Sequence, residues 1–343
     1  LRRLVRRPRA ARRRRRGALG RPRHRRTAGT QRPSAVGTRR HAAVGALTGT
    51  TVTGAMGPLL RTARPKQWLK NVLVFAAPGA AGVLDQGSEL LTTVIVFVAF
   101  CSAASGVYVW NDLLDVDADR RHPTKRHRPI ASGALPIGRA RVAGVVFPVV
   151  ALGLAATTGR WQTVAVVAVY QTTQVAYTVW LKHVPVVDLV TIASGFVLRA
   201  AAGAVAVDVP MSRWFVLCVT FGSLFIVVGK RYAELNELGV GAGTRPTLEV
   251  YTVGYLRIML AVSLAGVLIS YCVWALETSA AADSDWPLYE LSIVPMLMAL
   301  MRYLLVLEQG HGAAPEDVFA SDRLLQLLGL AWVAVYGVAV YAS

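Results

Sequence analysis

Nine stretches of about twenty mostly apolar residues set the terms for this chain. They fall near 69–85, 90–110, 139–158, 161–181, 185–207, 213–229, 251–276, 288–307 and 323–342. A helix needs about 20 such residues to cross the hydrocarbon core of a bilayer. In lipid, every backbone polar group must also find its partner inside the protein. The expected fold class is therefore all-α, a polytopic membrane helical bundle of about nine transmembrane helices. Hydrophobic residues make up 54% of the 343. That is more than a soluble core of this length requires, so lipid serves as solvent for part of the surface.

The formal charge of +19 is not spread along the chain. Residues 1–55 hold 17 Lys and Arg and no Asp or Glu, and the remainder is nearly neutral, with 21 basic and 19 acidic residues. The expected division is a basic, disordered tail over 1–55 and a membrane domain over 56–343, because an Arg/Gly/Ala/Pro-rich segment buries too little to offset its ordering entropy. Two readings of the tail stay open: a real segment drawn to anionic lipid, or residues upstream of a start at Met56. It lacks the compact apolar region of a secretory signal. Arg12–Arg16 lacks interleaved aromatics, so no nucleic-acid partner is expected. Sixteen of the 21 basic residues of the body fall on one side of the predicted spans, among them Arg245 and Arg323, and only Arg160 and Arg213 on the other. The positive-inside rule then places the N-terminus and the charged loops in the cytosol.

Cys101, Cys218 and Cys272 sit in apolar stretches with no metal-ligand spacing, so they read as buried thiols. The histidines (His24, His41, His122, His127, His183 and His311) are scattered.

The second span runs into Asn111-Asp-Leu-Leu-Asp-Val-Asp-Ala-Asp119. On a continuing helix Asp112, Asp115 and Asp119 share one face, and Asn111 can join them. Such a stripe is self-repulsive unless a cation neutralises it. Magnesium suits it, since it takes carboxylate oxygens, waters and a substrate phosphate. Asn111, Asp112, Asp115 and Asp119 are thus the expected metal ligands. Arg120, Arg121, Lys125, Arg126 and Arg128 follow at once. Carboxylates with metal beside Arg and Lys make a site for diphosphate. Lys125 and Arg128, beyond the break at Pro123, are the preferred contacts. The competing view is a solvated acidic helix end.

A second constellation is Tyr177, Lys182 and Asp188. A carboxylate at the head of an apolar span is costly unless paired or bound to metal. Asp188 therefore either pairs with Lys182 or holds a second metal or a substrate hydroxyl. Arg199 lies mid-span, about three turns beyond Asp188, too far for direct contact. An intramembrane Arg marks a functional site by default. Lys66, Lys70 and Lys230 place further cations at the same membrane face. Lys66 and Lys70 flank Trp68, which also suits an interfacial anchor.

Taken together, these segments resemble the UbiA superfamily of intramembrane prenyltransferases, over about residues 58–343. Four of them are similar to the branch of that superfamily that transfers a phosphoribosyl group to decaprenyl phosphate. They are Arg64-Pro-Lys-Gln-Trp-Leu-Lys-Asn71, the run from His122 to Gly133, Leu181-Lys-His183 and the run from Gly222 to Leu235. The resemblance implies a magnesium-dependent enzyme of the plasma membrane with a cytosolic site. Its substrates would be phosphoribosyl diphosphate and a polyprenyl phosphate, its other product diphosphate, and its role cell-wall arabinan precursor synthesis. Asp112, Asp115, Asp119 and Asp188 would be catalytic. Lys66, Lys70, Asn111, Lys125, Arg128, Tyr177, Lys182 and Lys230 would bind substrate. One departure is the missing second aspartate-rich motif, of which only Asp188 remains; fewer carboxylates and more cations suit a donor with an extra phosphate. Prenyl transfer to an aromatic acceptor is the alternative within the superfamily. A transporter is the alternative outside it, disfavoured because the charges crowd one face.

Overall fold

The computed structural model describes residues 52–238, 246–282, 286–310, 312 and 314–341. Nearly all of the basic segment expected over 1–55 lies outside them, as do Arg245, His24, His41 and His311. No strand occurs among the described residues.

The chain enters through α1 (Val52–Ala63), a 3-10 segment (Pro65–Phe75) and a short α2 (Ala76–Ala80). Next come α3 (Gly87–Leu114), α4 (Val116–Arg121), α5 (Ile137–Ala156), α6 (Trp161–Val179) and α7 (Val187–Ala206). The second half holds α8 (Arg213–Leu238), α9 (Val253–Ala281), α10 (Leu288–Leu291), α11 (Ile293–Glu308), α12 (Pro315–Ser321) and α13 (Arg323–Tyr341).

Seven segments are long and apolar enough to cross a membrane: α3, α5, α7, α8 as far as Glu237, α9, Leu288–Glu308 and α13. These are the candidates among the described residues, and the count of about nine is not confirmed at two of the stretches. The stretch near 69–85 does not form a straight span but coils as a 3-10 helix, and Pro78 and Gly79 follow in α2. The helix α6 has 19 residues, but Gln162, Gln171, Thr172, Thr173 and Gln174 make it more polar than the others.

The helices face two solvents. One interior cluster joins Val74, Phe100, Ala151, Val167 and Ala202. The other joins Phe225, Tyr232, Leu256, Leu260 and Leu307. Meanwhile Leu91, Val142, Val149, Ile258, Ile269, Leu327 and Leu330 point outward and are exposed. An outer surface this apolar is the expected one where lipid surrounds the bundle.

Two close approaches fix the first half. The helix α3 meets α5 at Gly106, where a Cβ would lie 2.8 Å from Pro148. Pro148 cannot donate in its own helix, and the Gly144 carbonyl that this leaves free accepts instead from Trp110 Nε1 at 2.8 Å. The helix α7 meets the 3-10 segment at Gly203, where a Cβ would stand 1.8 Å from the Val74 carbonyl oxygen. Only glycine allows that contact, and it seats the 3-10 segment inside the bundle. Gly203→Ala should destabilise the protein by about 1–3 kcal/mol through overpacking, read as a lower thermal midpoint in detergent. Gly153→Ala, with nothing within 4 Å of its Cβ, should leave the midpoint equal or higher. Equal midpoints for wild type and Gly203→Ala would contradict the packing.

Candidate active site

The cytosol-predicted end of the bundle holds three polar clusters and a fourth a little deeper. The first lies where α3 ends. Asp112 and Asp119 are both buried, a costly state for carboxylates unless they are neutralised. Arg128 donates through Nη1 to Asp112 Oδ1 at 3.2 Å and to Asp119 Oδ2 at 2.8 Å. Arg64 Nη2 reaches the same Asp112 oxygen at 2.6 Å. Its guanidinium lies 4.9 Å from the centre of the Tyr108 ring. Arg64 stands between α1 and Pro65 with φ +55°, a conformation unusual for a non-glycine residue. That turn aims it at Asp112, and strain of this kind gathers at functional sites.

The acidic stripe is bent. Asp115 sits between α3 and α4 with φ −93° and ψ 6°. Its N–H donates to the Asn111 carbonyl at 3.0 Å, and its carbonyl accepts from Asp119 N–H at 2.8 Å. The side chain of Asp115 is exposed, whereas those of Asp112 and Asp119 turn inward. Asn111 Oδ1 is buried and accepts no hydrogen bond. A single arginine nitrogen touches both carboxylates, and a buried amide oxygen nearby in sequence lacks a donor. This set of hard oxygen atoms fits magnesium. Among the described residues, no three Asp, Glu, His or Cys side chains converge closely enough to enclose an ion by themselves. Magnesium here would need oxygens from substrate or water, its usual habit. Lys125 is exposed in a 3-10 turn, Lys125–His127, at the loop surface.

The second cluster surrounds Asp188. Its oxygens accept from Tyr251 Oη at 2.5 Å and Thr247 Oγ1 at 3.2 Å. Arg231 Nε stands 3.6 Å away, and Arg231 Nη1 donates to Glu234 at 2.8 Å. Asp188 is thus not paired with Lys182, which lies half-buried in the turn Leu181–His183. Tyr251 also accepts from the Val186 N–H at 2.6 Å, at a φ of +69° that is strained for a β-branched residue. Burial, reinforced by the Asp188 hydrogen bond, pushes the Tyr251 hydroxyl well above its usual range. Arg231 is almost fully buried, and its Nε and Nη2 make no hydrogen bond. Tyr177, near the end of α6, lies within electrostatic reach of it. Sequence reading treats Lys230 and Arg231 as the end of a span, but α8 runs on to Leu238 and carries Arg231 into the interior.

The third cluster ties the 3-10 segment to α12. Gln67 Nε2 donates to Glu316 Oε1, and Lys70 donates to Gln67. Lys70 Nζ stands 3.8 Å from Glu316 Oε2. Lys66 is exposed beside them. The 3-10 segment is not one of the spanning helices, and Lys70 titrates low there, at about 8. Burial lowers it most; Glu316 opposes this, while Lys230, Arg199 and Arg64 add repulsion. For Glu316, burial disfavours the charge. The Gln67 hydrogen bond and the Lys70 charge outweigh that and hold the carboxyl below its usual range.

The fourth cluster belongs to Arg199, which has no acidic partner among the described residues. Its Nε donates to Asn71 Oδ1 at 2.7 Å, and its Nη2 to Tyr170 Oη at 2.9 Å. Nη1 donates to the Gly195 carbonyl at 2.5 Å. Phe100, Tyr170 and Phe196 supply ring faces within 6 Å. Tyr108 lies within electrostatic reach of Arg64, Arg199 and Glu316, which belong to the first, fourth and third clusters.

The structure brings Asp112, Asp119 and Arg128 together and sets Asp188 in a separate cluster. It adds contacts of Arg64, Gln67, Tyr108, Arg231, Tyr251 and Glu316 that sequence reading does not supply. Arg64 and Gln67 fall in a segment that reads equally well as a membrane anchor. Glu316 lies in a loop with no motif, so no local signal marks it.

An architecture of apolar helices with buried carboxylates and a ring of cations at one end is that of a membrane-embedded transferase. The UbiA prenyltransferase family model matches residues 72–339, and the chain belongs to that family. It is an integral membrane protein. A decaprenyl-phosphate phosphoribosyltransferase of Corynebacterium glutamicum is 44% identical over 288 residues, covering 82% of this chain and 86% of that protein. The protein of the same name from Mycobacterium tuberculosis is 44% identical over 291 residues, covering 82% of this chain and 94% of that one. Among solved structures, a UbiA homolog from Archaeoglobus fulgidus bound to GPP and Mg2+ superposes with a TM-score of 0.64 at 18% identity. The match covers 83% of this chain and all of that one, a likeness of fold.

Lys70 should titrate near 8 rather than at its ordinary 10.5. Carbon-13 NMR of the reductively methylated protein, with Lys70→Arg to assign the signal, measures this. A midpoint near 10.5 would mean that Lys70 is not enclosed as described.

Proposed function

We propose that this protein transfers the 5-phosphoribosyl group of phosphoribosyl diphosphate to a polyprenyl phosphate, decaprenyl phosphate in the named relatives' terms, and releases diphosphate. Transfer takes place at the cytosolic face of the plasma membrane, and the product feeds cell-wall arabinan synthesis. One observation carries the reading: two buried carboxylates share Arg128 beside a region lined by more cations than those carboxylates need.

Asp112 and Asp119, with Asn111 and with Asp115 at the mouth, would hold magnesium. Bound there, the ion would neutralise the diphosphate leaving group and ease cleavage of the anomeric C–O bond. Arg64 and Arg128 are held at Asp112 by charge-assisted hydrogen bonds and donate in planar forks. They suit the diphosphate oxygens once the carboxylates have another cation. Lys66 and Lys125, exposed at the rim, steer the anionic donor inward. Tyr177, Lys182 and Arg231 suit the 5-phosphate. Arg231 has two donors to spare, and Asp188 keeps its guanidinium in place. Lys70 and Lys230 keep a second anion near the first.

The acceptor is a phosphate monoester, already a nucleophile at neutral pH, so no strong general base is required. Its oxygen attacks the ribosyl carbon opposite the departing diphosphate, which inverts the α anomer to β. Charge alignment and positioning supply the rate enhancement.

Purified protein should transfer label from phosphoribosyl diphosphate to a polyprenyl phosphate, and EDTA should stop it. Asp112→Asn and Asp119→Asn should each lower kcat by about 10^3-fold while the protein still inserts and elutes as wild type. Near-normal turnover in either variant, or label moving instead from an isoprenoid diphosphate to an aromatic acceptor, would overturn the assignment.

A further inference from the structure

Gln67 and Lys70 hold an anion already, and the protein supplies it. Glu316 enters from α12, far along the chain, and reaches the 3-10 segment between its first and last turns. Its carboxylate is only half satisfied. Oε1 takes the Gln67 amide, while Oε2 is buried, without a hydrogen bond, and stands 3.8 Å from the Lys70 ammonium. Lys230 acts on both Lys70 and Glu316. A buried oxygen left short of a donor is poorly held.

The helix that carries this carboxylate is firmly seated, while the carboxylate itself has few polar contacts. Asp322, just after α12, accepts from Arg302 Nε at 3.1 Å and Nη2 at 2.7 Å, and caps α13 by accepting from Leu325 N–H at 2.8 Å. The far end of α12 is therefore pinned to α11 and α13. Its near end is held to the 3-10 segment through Glu316 alone among the polar contacts of the described residues. Pro315 and Val318 seat the helix in the interior, so the movable part is the Glu316 side chain, and its withdrawal uncovers Gln67 and Lys70 without disturbing the bundle.

We propose that Gln67 and Lys70 form the subsite for the acceptor's phosphate monoester, and that Glu316 stands in that place until the lipid phosphate displaces it. The assignment rests on the transfer reading above. The chemistry matches. A carboxylate and a phosphate monoester are both oxyanions, and the pair offers an amide donor and an ammonium group. The location matches as well. Lys70 feels Arg64, the partner of Asp112, so an anion held there lies beside the diphosphate site. The exposed apolar residues Phe319 and Leu324 flank the same strap, where a lipid chain would run.

Glu316 is thus a built-in competitor and a specificity element. It rejects weak anions and yields to a dianion anchored by its own tail in the membrane. Glu316→Gln keeps the hydrogen bond to Gln67 and removes the charge. It should lower the KM for polyprenyl phosphate roughly fivefold, the scale of one partly exposed charge pair, and leave the KM for phosphoribosyl diphosphate unchanged. Inorganic phosphate should become a better inhibitor, competitive with the lipid. If Glu316→Gln does not accumulate in the membrane, Glu316→Asp, whose shorter side chain withdraws from Gln67, should shift both values in the same direction.

Binding is also measured without turnover, as the rise in thermal midpoint caused by a short-chain polyprenyl phosphate in detergent. The rise should be larger in Glu316→Gln than in wild type. An equal or smaller rise, or an unchanged lipid KM, overturns the subsite. Wild-type protein that binds the lipid phosphate and forms no lipid-linked ribosyl product overturns the transfer reading instead.

Discussion

Burying carboxylates where helices meet lipid is the constraint around which this protein is arranged. Asp112, Asp119 and Asp188 are all nearly inaccessible. An isolated charge in that setting is costly enough to force protonation or unfolding. The protein meets the cost with guanidinium groups: Arg64 and Arg128 at the first site, Arg231 at the second. Arginine suits the task because it keeps its charge when buried and donates in a planar fork. The local backbone follows from it. The left-handed turn at Arg64 delivers one guanidinium, and the kink at Asp115 lets Asp119 turn back toward the other.

Burial is the main reason that Lys70 titrates low, with Lys230, Arg199 and Arg64 adding repulsion. On the proposed reading, cations held in this way are preorganised for phosphate groups. Arg199 stands apart. Ring faces and neutral oxygens satisfy it, so it ties α6, α7 and the 3-10 segment together and contributes a fixed positive field.

Much of this was legible in the amino-acid order, and the rest was hidden for physical reasons. Apolar length finds the spanning helices because the bilayer imposes a single length scale. Its count is not confirmed at 69–85, where prolines and a glycine-dependent docking at Gly203 produce a 3-10 coil, or at α6, whose glutamines and threonines dilute its hydropathy. The aspartate spacing locates the first cluster, since three and four residues bring side chains onto one helix face. Spacing says nothing of the kink that turns Asp115 outward. Lys182 as the partner of Asp188 is the natural guess from proximity in the chain. The true partners, Arg231, Thr247 and Tyr251, come from α8 and the approach to α9, and only tertiary packing unites them. Glu316 is the extreme case: its partner Gln67 is 249 positions away.

The central claim is that Asp112 and Asp119 hold a divalent cation together with a diphosphate. Electron paramagnetic resonance of Mn2+, a hard-ion stand-in for magnesium, tests it without requiring turnover. Titrated into purified protein with inorganic diphosphate, Mn2+ should bind about one equivalent per chain beyond what diphosphate alone retains, and that binding should vanish in Asp112→Asn. Equal binding in wild type and variant, or none in either, would contradict the account.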